Sequence, residues 1–365
     1  MYRKSILLSL ACVLILSCGR GGTQAGYVLP CIEEMIADTS SVGHSVLEDY
    51  DPSDRYGSIA VVGPEDETRL LSSFLMHCDM FDNVDARWAR DSLPDFAGET
   101  ITSFYDYADT SYSSFFKKGR DTLMRESVVR NAVAAVSHTC YQNPYSNEPT
   151  VDKIPAKLII YSSSYSEPGI RDVDTLFSAF GKSVRLISPV RAIEEETARR
   201  HISGRIGIWA DSDVLASGVY ASAFHSGGHI VDYVGFSPDG YATAEEGFFR
   251  FLDMYLATGE VTPLSAVVID DFRLSAYADH IGRVAEKVNS STEESYALYR
   301  AILSDDFTVV DAVSSIAIKC YMMLRNENFF THRIQYPVSR EYMLLPSAGQ
   351  DADIKYIEYS HIYVH

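Results

Sequence analysis

The chain is poor in positive charge, in cysteine and in long apolar runs. Its 365 residues carry 31 Lys and Arg against 50 Asp and Glu, a formal net charge of −19. Such a balance disfavours nucleic acid and anionic lipid headgroups as partners and otherwise serves solubility. No segment reaches the ~20 consecutive apolar residues that cross a bilayer as a helix. Six cysteines occur, none in a CxxC or Cys/His spacing, so no metal is expected. GxSxG, Walker A, GxGxxG and HExxH are all missing, so no cofactor is expected and the usual nucleophile and phosphate signatures are excluded. Internal repeats and low-complexity stretches are absent as well.

What is present begins with an address. Arg3 and Lys4 precede the apolar run Ile6–Leu16, and Ile15-Leu16-Ser17-Cys18 closes it. This is the form of a secretory signal over residues 1–17. Its end resembles a bacterial lipobox, in which the cysteine is lipidated and becomes the new N-terminus. The alternatives are an ordinary cleaved signal or a short anchor. Acylated Cys18 would hold the chain on a lipid bilayer, with Gly19–Ala25 as a flexible, Gly-rich tether. The expected location is the bacterial cell envelope, lipid-anchored to the outer membrane and facing the periplasm. Cys12 leaves with the signal; Cys31, Cys78, Cys140 and Cys320 are expected to be mostly free, buried thiols.

With 46% hydrophobic residues the remainder buries a proper core, and its length calls for two lobes. The expected division is residues 18–57 as tether and extension, 58–156 as a first lobe completed by part of 272–365, and 157–271 as a second lobe. Ser58–Gly63 reads as a core strand and Asp121–His138 as a helix. From Lys157 to Asp271 strands and helices alternate over short connections: strands at 157–161, 184–187, 205–210, 229–236 and 264–269, with helices between them. That rhythm predicts parallel strands joined by right-handed crossovers. The fold class is therefore α/β, two-lobed, with mostly parallel sheets and flanking helices. After 271 a helix is expected from Val309 to Leu324, and Ile354–Val364 has the character of an edge strand.

Three of these strands end in small or acidic polar residues: Ser162, Ser163 and Ser164; Asp211 and Ser212; Asp270 and Asp271. Parallel strands put such ends on one side of a sheet, where helix N-termini favour polar ligands. Ser and Asp also cap following helices, so each turn has a purely structural explanation too. The stretch Gly204–Tyr220 combines strand, polar turn and a helix expected over Val214–Phe224, and it adds Ser217 as a candidate ligand-binding residue. Other clusters have plainer readings. His225 and His229 have i, i+4 spacing, but Ser226-Gly227-Gly228 breaks the helix that would make them ligands. Asp82, Asp85, Asp91 and Asp95 lack the spacing of a calcium loop.

The order of elements from 157 to 271 resembles the aspartate/glutamate racemase superfamily. Leu186–Val190 stands where that family has its second strand. Arg205–Tyr220 matches its strand–turn–helix in Ile206-Gly207-Ile208, Ser217, Gly218 and Tyr220. The helix from Thr122 and the strand at Ser58 fall in order. The departures lie in the chemistry. The family's first cysteine falls at Ser162 and its second at Asp270 or Asp271, while its Thr positions hold Asp211 and Val214. A serine hydroxyl does not exchange a proton near neutral pH as a tuned thiolate does, whereas an aspartate serves as one base. The resemblance implies the two-lobed fold with a cleft; a type I periplasmic-binding fold gives a similar rhythm. The expectation is a membrane-tethered protein that binds a small polar ligand in the cleft without catalysis. The alternatives are a cofactor-independent isomerase or lyase using one acidic base, and a structural or partner-binding envelope protein.

Overall fold

The computed structural model describes residues 28–107, 112–117, 120–226, 232–346 and 354–358. The signal, Cys18 and the tether lie outside the described residues, as does His229. No helix among those residues is long and apolar enough to cross a membrane.

The strands are β1 (Ser58–Gly63), β2 (Thr100–Asp106), β3 (Thr139–Cys140), β4 (Val151–Asp152), β5 (Ala156–Tyr161), β6 (Arg185–Ile187), β7 (Arg205–Trp209), β8 (Asp232–Phe236), β9 (Leu264–Ile269), β10 (Leu303–Asp311), β11 (Val338–Pro346) and β12 (Ile354–Glu358). They form a six-stranded sheet in the order β12-β11-β2-β1-β5-β6, a four-stranded sheet in the order β10-β9-β7-β8, and the small β3-β4 pair. Every pairing in the two main sheets is parallel except β11 with β12, which closes one edge antiparallel. The class is therefore α/β with mostly parallel sheets and flanking helices, as the alternating pattern predicts.

β1 and β5 are buried along their whole length, the signature of central parallel strands covered on both faces. Ile59, Val61, Ile159, Val128 and Ile193 belong to the core of the first sheet. A second cluster, with Phe248, Phe251, Leu252 and Tyr255 of the helix Ala244–Ala257 against Val267 and Ile269, covers the outer face of the second sheet. The helices Pro189–Arg199 and Ala312–Asn326 pack against each other. They carry the chain from β6 into the second sheet and from β10 back to β11.

Several elements differ from the sequence reading. The strands at 156–161 and 185–187, expected to open the second lobe, belong to the first sheet, where β5 pairs with β1 and β6 with β5. The change of sheet comes only after β6, so periodicity alone does not mark it. β2 reads as polar because it alternates Thr, Ser and Asp, yet every residue is buried. Its hydroxyls are satisfied sideways: Thr102 Oγ1 lies 3.0 Å from Ser58 Oγ, and Ser103 donates to Ser72 Oγ at 2.8 Å. β10 takes Val309 and Val310, which were expected to begin a helix. That helix starts at Ala312, where the Asp311 carboxylate caps the Ser314 N–H at 2.8 Å. The helix expected over Val214–Phe224 is two pieces, Ser212–Ala216 and Val219–Ser226, parted at Gly218 with φ of +74°. The tail supplies the edge strand β12.

One buried ion pair pins β2 to β5. Lys157 Nζ lies 2.8 Å from Glu99 Oε2, and both side chains are fully buried. The ammonium also donates to the Arg55 and Phe329 carbonyls, each at 2.8 Å. One opposite charge and two carbonyl acceptors are what makes so buried a charge tolerable. Cys31, Cys78, Cys140 and Cys320 are free and buried. The aspartate-rich loop is a backbone-capping device. Asp95 accepts the Met80 and Phe81 N–H groups at 2.9 Å, and Asp82 accepts those of Val84 and Asp85.

Candidate functional site

The carboxyl ends of the two sheets face one cavity of about 330 Å³. Each wall comes from a strand end: Glu67 just after β1, Ser162–Ser164 after β5, Ala210 and Asp211 after β7, Ser237 and Pro238 after β8, and Asp270–Arg273 after β9. The three polar turns therefore converge. Ser162, Ser163, Ser164, Asp211, Asp270 and Asp271 all line the cavity. Ser212 and Ser217 are not among its lining residues. Ser212 is the first residue of a short helix. Ser217 donates to the Val214 carbonyl at 2.6 Å and lines a separate depression with Glu167 and Arg191.

The first-sheet wall depends on a glycine. Gly63 has φ of +152°, and a Cβ there would lie 2.3 Å from Ser162 Oγ. Only glycine admits that approach without displacing the serine. Ser162 Oγ in turn meets Thr68 Oγ1 at 2.8 Å and donates to the Val62 carbonyl at 3.3 Å. Its hydroxyl fastens the turn that presents Glu67, so its function is structural. Ser164 is different. It is 5% exposed, lines the cavity, and its hydroxyl favours the ionised form of Asp270.

The acidic turns divide in the same way. Asp271 caps the short helix Phe272–Ser275, accepting the Arg273 and Leu274 N–H groups at 2.8 and 3.3 Å. For this residue the structural explanation holds. Asp211 occupies the N-cap position of Ser212–Ala216 but caps nothing with its side chain. Instead it accepts the Tyr165 hydroxyl at 3.0 Å. Asp270 accepts the Tyr220 hydroxyl on Oδ2 at 2.5 Å, and its N–H is bonded to the Trp209 carbonyl at 2.9 Å. Neither carboxylate is explained by helix capping.

Burial sets the protonation of the site. It pushes the Asp270 carboxyl up to about 7, against the Ser164 and Tyr220 hydroxyls, which favour the ionised form; Asp271 and Asp211 add to the rise. Burial also pushes Glu67 up to about 8, opposed by the Ser163 hydroxyl and reinforced by Asp270, Asp271 and Asp211. One oxygen of Glu67 is buried without a hydrogen-bond partner. Burial and then Asp270 hold the Tyr220 phenol well above its ordinary value. The cavity thus contains two carboxyls that exchange protons near neutrality.

Sequence reasoning missed Glu67, Tyr165, Tyr241 and Arg273. Glu67 lay inside an acidic helix start, Glu65-Asp66-Glu67, which reads as a solvated first turn. Its turn after β1 is the topological equal of the turns that were singled out, and that position was the available signal. Arg273 reaches Asp66 across the cleft at 2.9 Å, with both side chains about three-quarters exposed. Among the described residues no group of three His, Cys, Asp or Glu is placed to hold a metal ion.

No family model matches this sequence, and no curated protein matches it. Solved structures do. A glutamate racemase isoform from Bacillus anthracis matches with a TM-score of 0.47 at 12% identity, over 80% of this chain and 89% of that one. A glutamate racemase from Francisella tularensis, in complex with D-glutamate, gives 0.45 and 14% over 80% and 89%. An aspartate racemase homologue from Pyrococcus horikoshii gives 0.37 and 12% over 74% and 99%.

Proposed function

We propose that the cleft is the active site of a cofactor-independent proton-transfer enzyme, an isomerase or lyase acting on a small polar molecule, with Asp270 as its acid–base group. The observation that carries this reading is the convergence of Asp270, from the second sheet, and Glu67, from the first, on one cavity. A carboxyl titrating near the working pH is the efficient choice for abstracting or returning a proton. Tyr220 supports the reading by fixing one oxygen of Asp270 and leaving the other for a reacting group. Glu67 supplies a second proton carrier at the same cavity. Among the described residues no cysteine lines the cleft, so the proton chemistry falls to carboxyls.

The test is deuterium wash-in. A panel of small hydroxy, amino and carboxy compounds is incubated with the protein in D2O, and exchange at activated C–H positions is followed by NMR. The reading requires exchange in at least one compound, lost in Asp270→Asn. Exchange that persists in Asp270→Asn, or no exchange in any compound that binds, removes the catalytic reading.

A binding role without catalysis is the second reading, favoured by the polar lining that Ser163, Ser164 and Asp211 give the cavity. Both readings accommodate a tether at Cys18, which the sequence of residues 1–25 supports.

A further inference from the structure

Among the described residues the chain passes between the two main sheets twice, along the helices Pro189–Arg199 and Ala312–Asn326. The two helices pack on each other, and Lys319 pairs with Glu195 across that contact. The apolar core is continuous there: Ile193 and Ile316 cluster with Ile59 and Ile159 of the first sheet and with Ile206 and Val268 of the second. Two crossings side by side leave one axis about which the sheets can turn.

The rims of the cleft are joined by charge instead. At one rim the helix Glu65–His77, after β1, meets Phe272–Ser275, after β9, and Asp66 pairs with Arg273 at 2.9 Å. At the other, Tyr112–Lys117, after β2, meets Ser212–Ala216, after β7, and Lys117 pairs with Asp213 at 3.2 Å. Each pair therefore joins the first sheet to the second. Each also sits beside the cavity: Asp66 precedes Glu67, Arg273 lines the wall itself, and Asp213 lies between the lining residues Asp211 and Val214. Asp66, Arg273 and Lys117 are largely exposed, and Asp213 less so.

The inner wall of the cleft is dry. Ser162, Ser163, Ser164, Tyr165, Trp209 and Ala210 all line it, and none is more than 6% exposed. A molecule that reaches them has to enter past the rims. Resting on the reading of this cleft as a ligand site, we infer that Asp66–Arg273 and Lys117–Asp213 form a two-point ionic clasp that holds the cleft shut, and that the cleft opens to its ligand when both pairs part.

The exposure of the clasp decides how salt acts on it. Exposed ion pairs are worth little singly and are screened by salt, so these can part while the core stays folded. Screening also weakens the self-repulsion of a chain whose net charge is −19, and that draws the sheets together. Opening on added salt therefore requires the clasp to outweigh the repulsion.

The experiment is amide hydrogen–deuterium exchange of the ligand-free full chain, read by mass spectrometry at ionic strengths of about 20 mM and about 500 mM. Local opening sets the exchange of residues 162–166, 209–215 and 270–274. The expected result is exchange there about threefold faster or more at the higher salt, with β1 and β5 unchanged. Lys117→Gln/Arg273→Gln, which removes both pairs, is expected to reach the faster rate already at low salt and to lose the salt response. Protection of β1 and β5 shows in the same run that the variant is folded. Cleft turns that do not respond to salt, a response shared equally by β1 and β5, or a double variant as protected or as salt-sensitive as the wild-type chain overturns the inference. The readout needs neither ligand nor turnover. A salt-gated cleft in a protein that exchanges no carbon-bound hydrogen would leave this inference and remove the proposed chemistry; carbon-bound exchange behind turns that ignore salt would do the reverse.

Discussion

Tyr220 donates its hydroxyl to Asp270 Oδ2 at 2.5 Å, joining the helix that follows the β7 turn to the turn that follows β9. The bond has two effects. It ties neighbouring strand ends of the second sheet together, and it favours the ionised form of a carboxyl that burial pushes the other way. Tyr220→Phe is therefore expected to raise the Asp270 midpoint above about 7. The fold should lose ~1 kcal/mol, the net worth of one hydrogen bond. Carboxyl-carbon NMR of the variant reads the first effect, and denaturant melts read the second.

The cleft carboxyls also make stability depend on pH. Asp270 and Glu67 have folded midpoints raised to about 7 and about 8. A carboxyl raised in the folded state binds more protons there than in the unfolded chain. Its contribution is fully present below the ordinary carboxylate range and is lost as pH rises through the folded midpoint. Thermal midpoints should therefore fall between pH 5 and pH 8. The double variant Glu67→Gln/Asp270→Asn should flatten that decline. A decline that is equally steep in the double variant contradicts the assignment.

The buried pair Lys157–Glu99 makes a stability prediction away from the cleft. Glu99→Gln or Lys157→Met leaves one buried charge without its partner and should cost ~3–5 kcal/mol. Replacing both by apolar residues should recover part of that loss. Chemical denaturation of the three variants decides it.

Gly63→Ala places a methyl within 2.3 Å of Ser162 Oγ at a left-handed φ. Strain of this kind costs about 1–3 kcal/mol, and the Ser162–Thr68 fastening should open with it. Ligand affinity is expected to fall together with the melting midpoint, because the same turn presents Glu67.

Cys18→Ala is expected to move the protein from the membrane to the soluble fraction on cell fractionation. Unchanged membrane association would remove the lipid tether.

Much of this molecule is legible in its sequence where burial is symmetrical. Ser58–Gly63, Lys157–Tyr161 and Leu264–Ile269 are mostly apolar because both faces are covered, and their strands stand where the pattern puts them. β2 is not legible, because its Thr102 and Ser103 side chains, on opposite faces, are satisfied by Ser58 and Ser72, residues distant in sequence. β10 is hidden because Asp305 and Asp306 interrupt its apolar pattern and Val309 and Val310 run on into a helix. The site was read from strand ends, a sound rule for Asp211 and Asp270. It failed at Ser217, which closes the short helix Ser212–Ala216, gives its hydroxyl to the Val214 carbonyl and lines a separate depression. It missed Glu67, because an acidic first helical turn looks the same in sequence whether it faces water or a cleft.

Titration of the Asp270 and Glu67 carboxyl carbons tests the central claim most directly. Carbon-13 NMR on the wild-type chain, assigned with Asp270→Asn and Glu67→Gln, reads each midpoint separately. The account predicts midpoints near 7 and 8, the two moving together because the groups share one cavity. Midpoints for both in the ordinary carboxylate range near 4 would mean that the cleft holds no proton at neutral pH, and would contradict it.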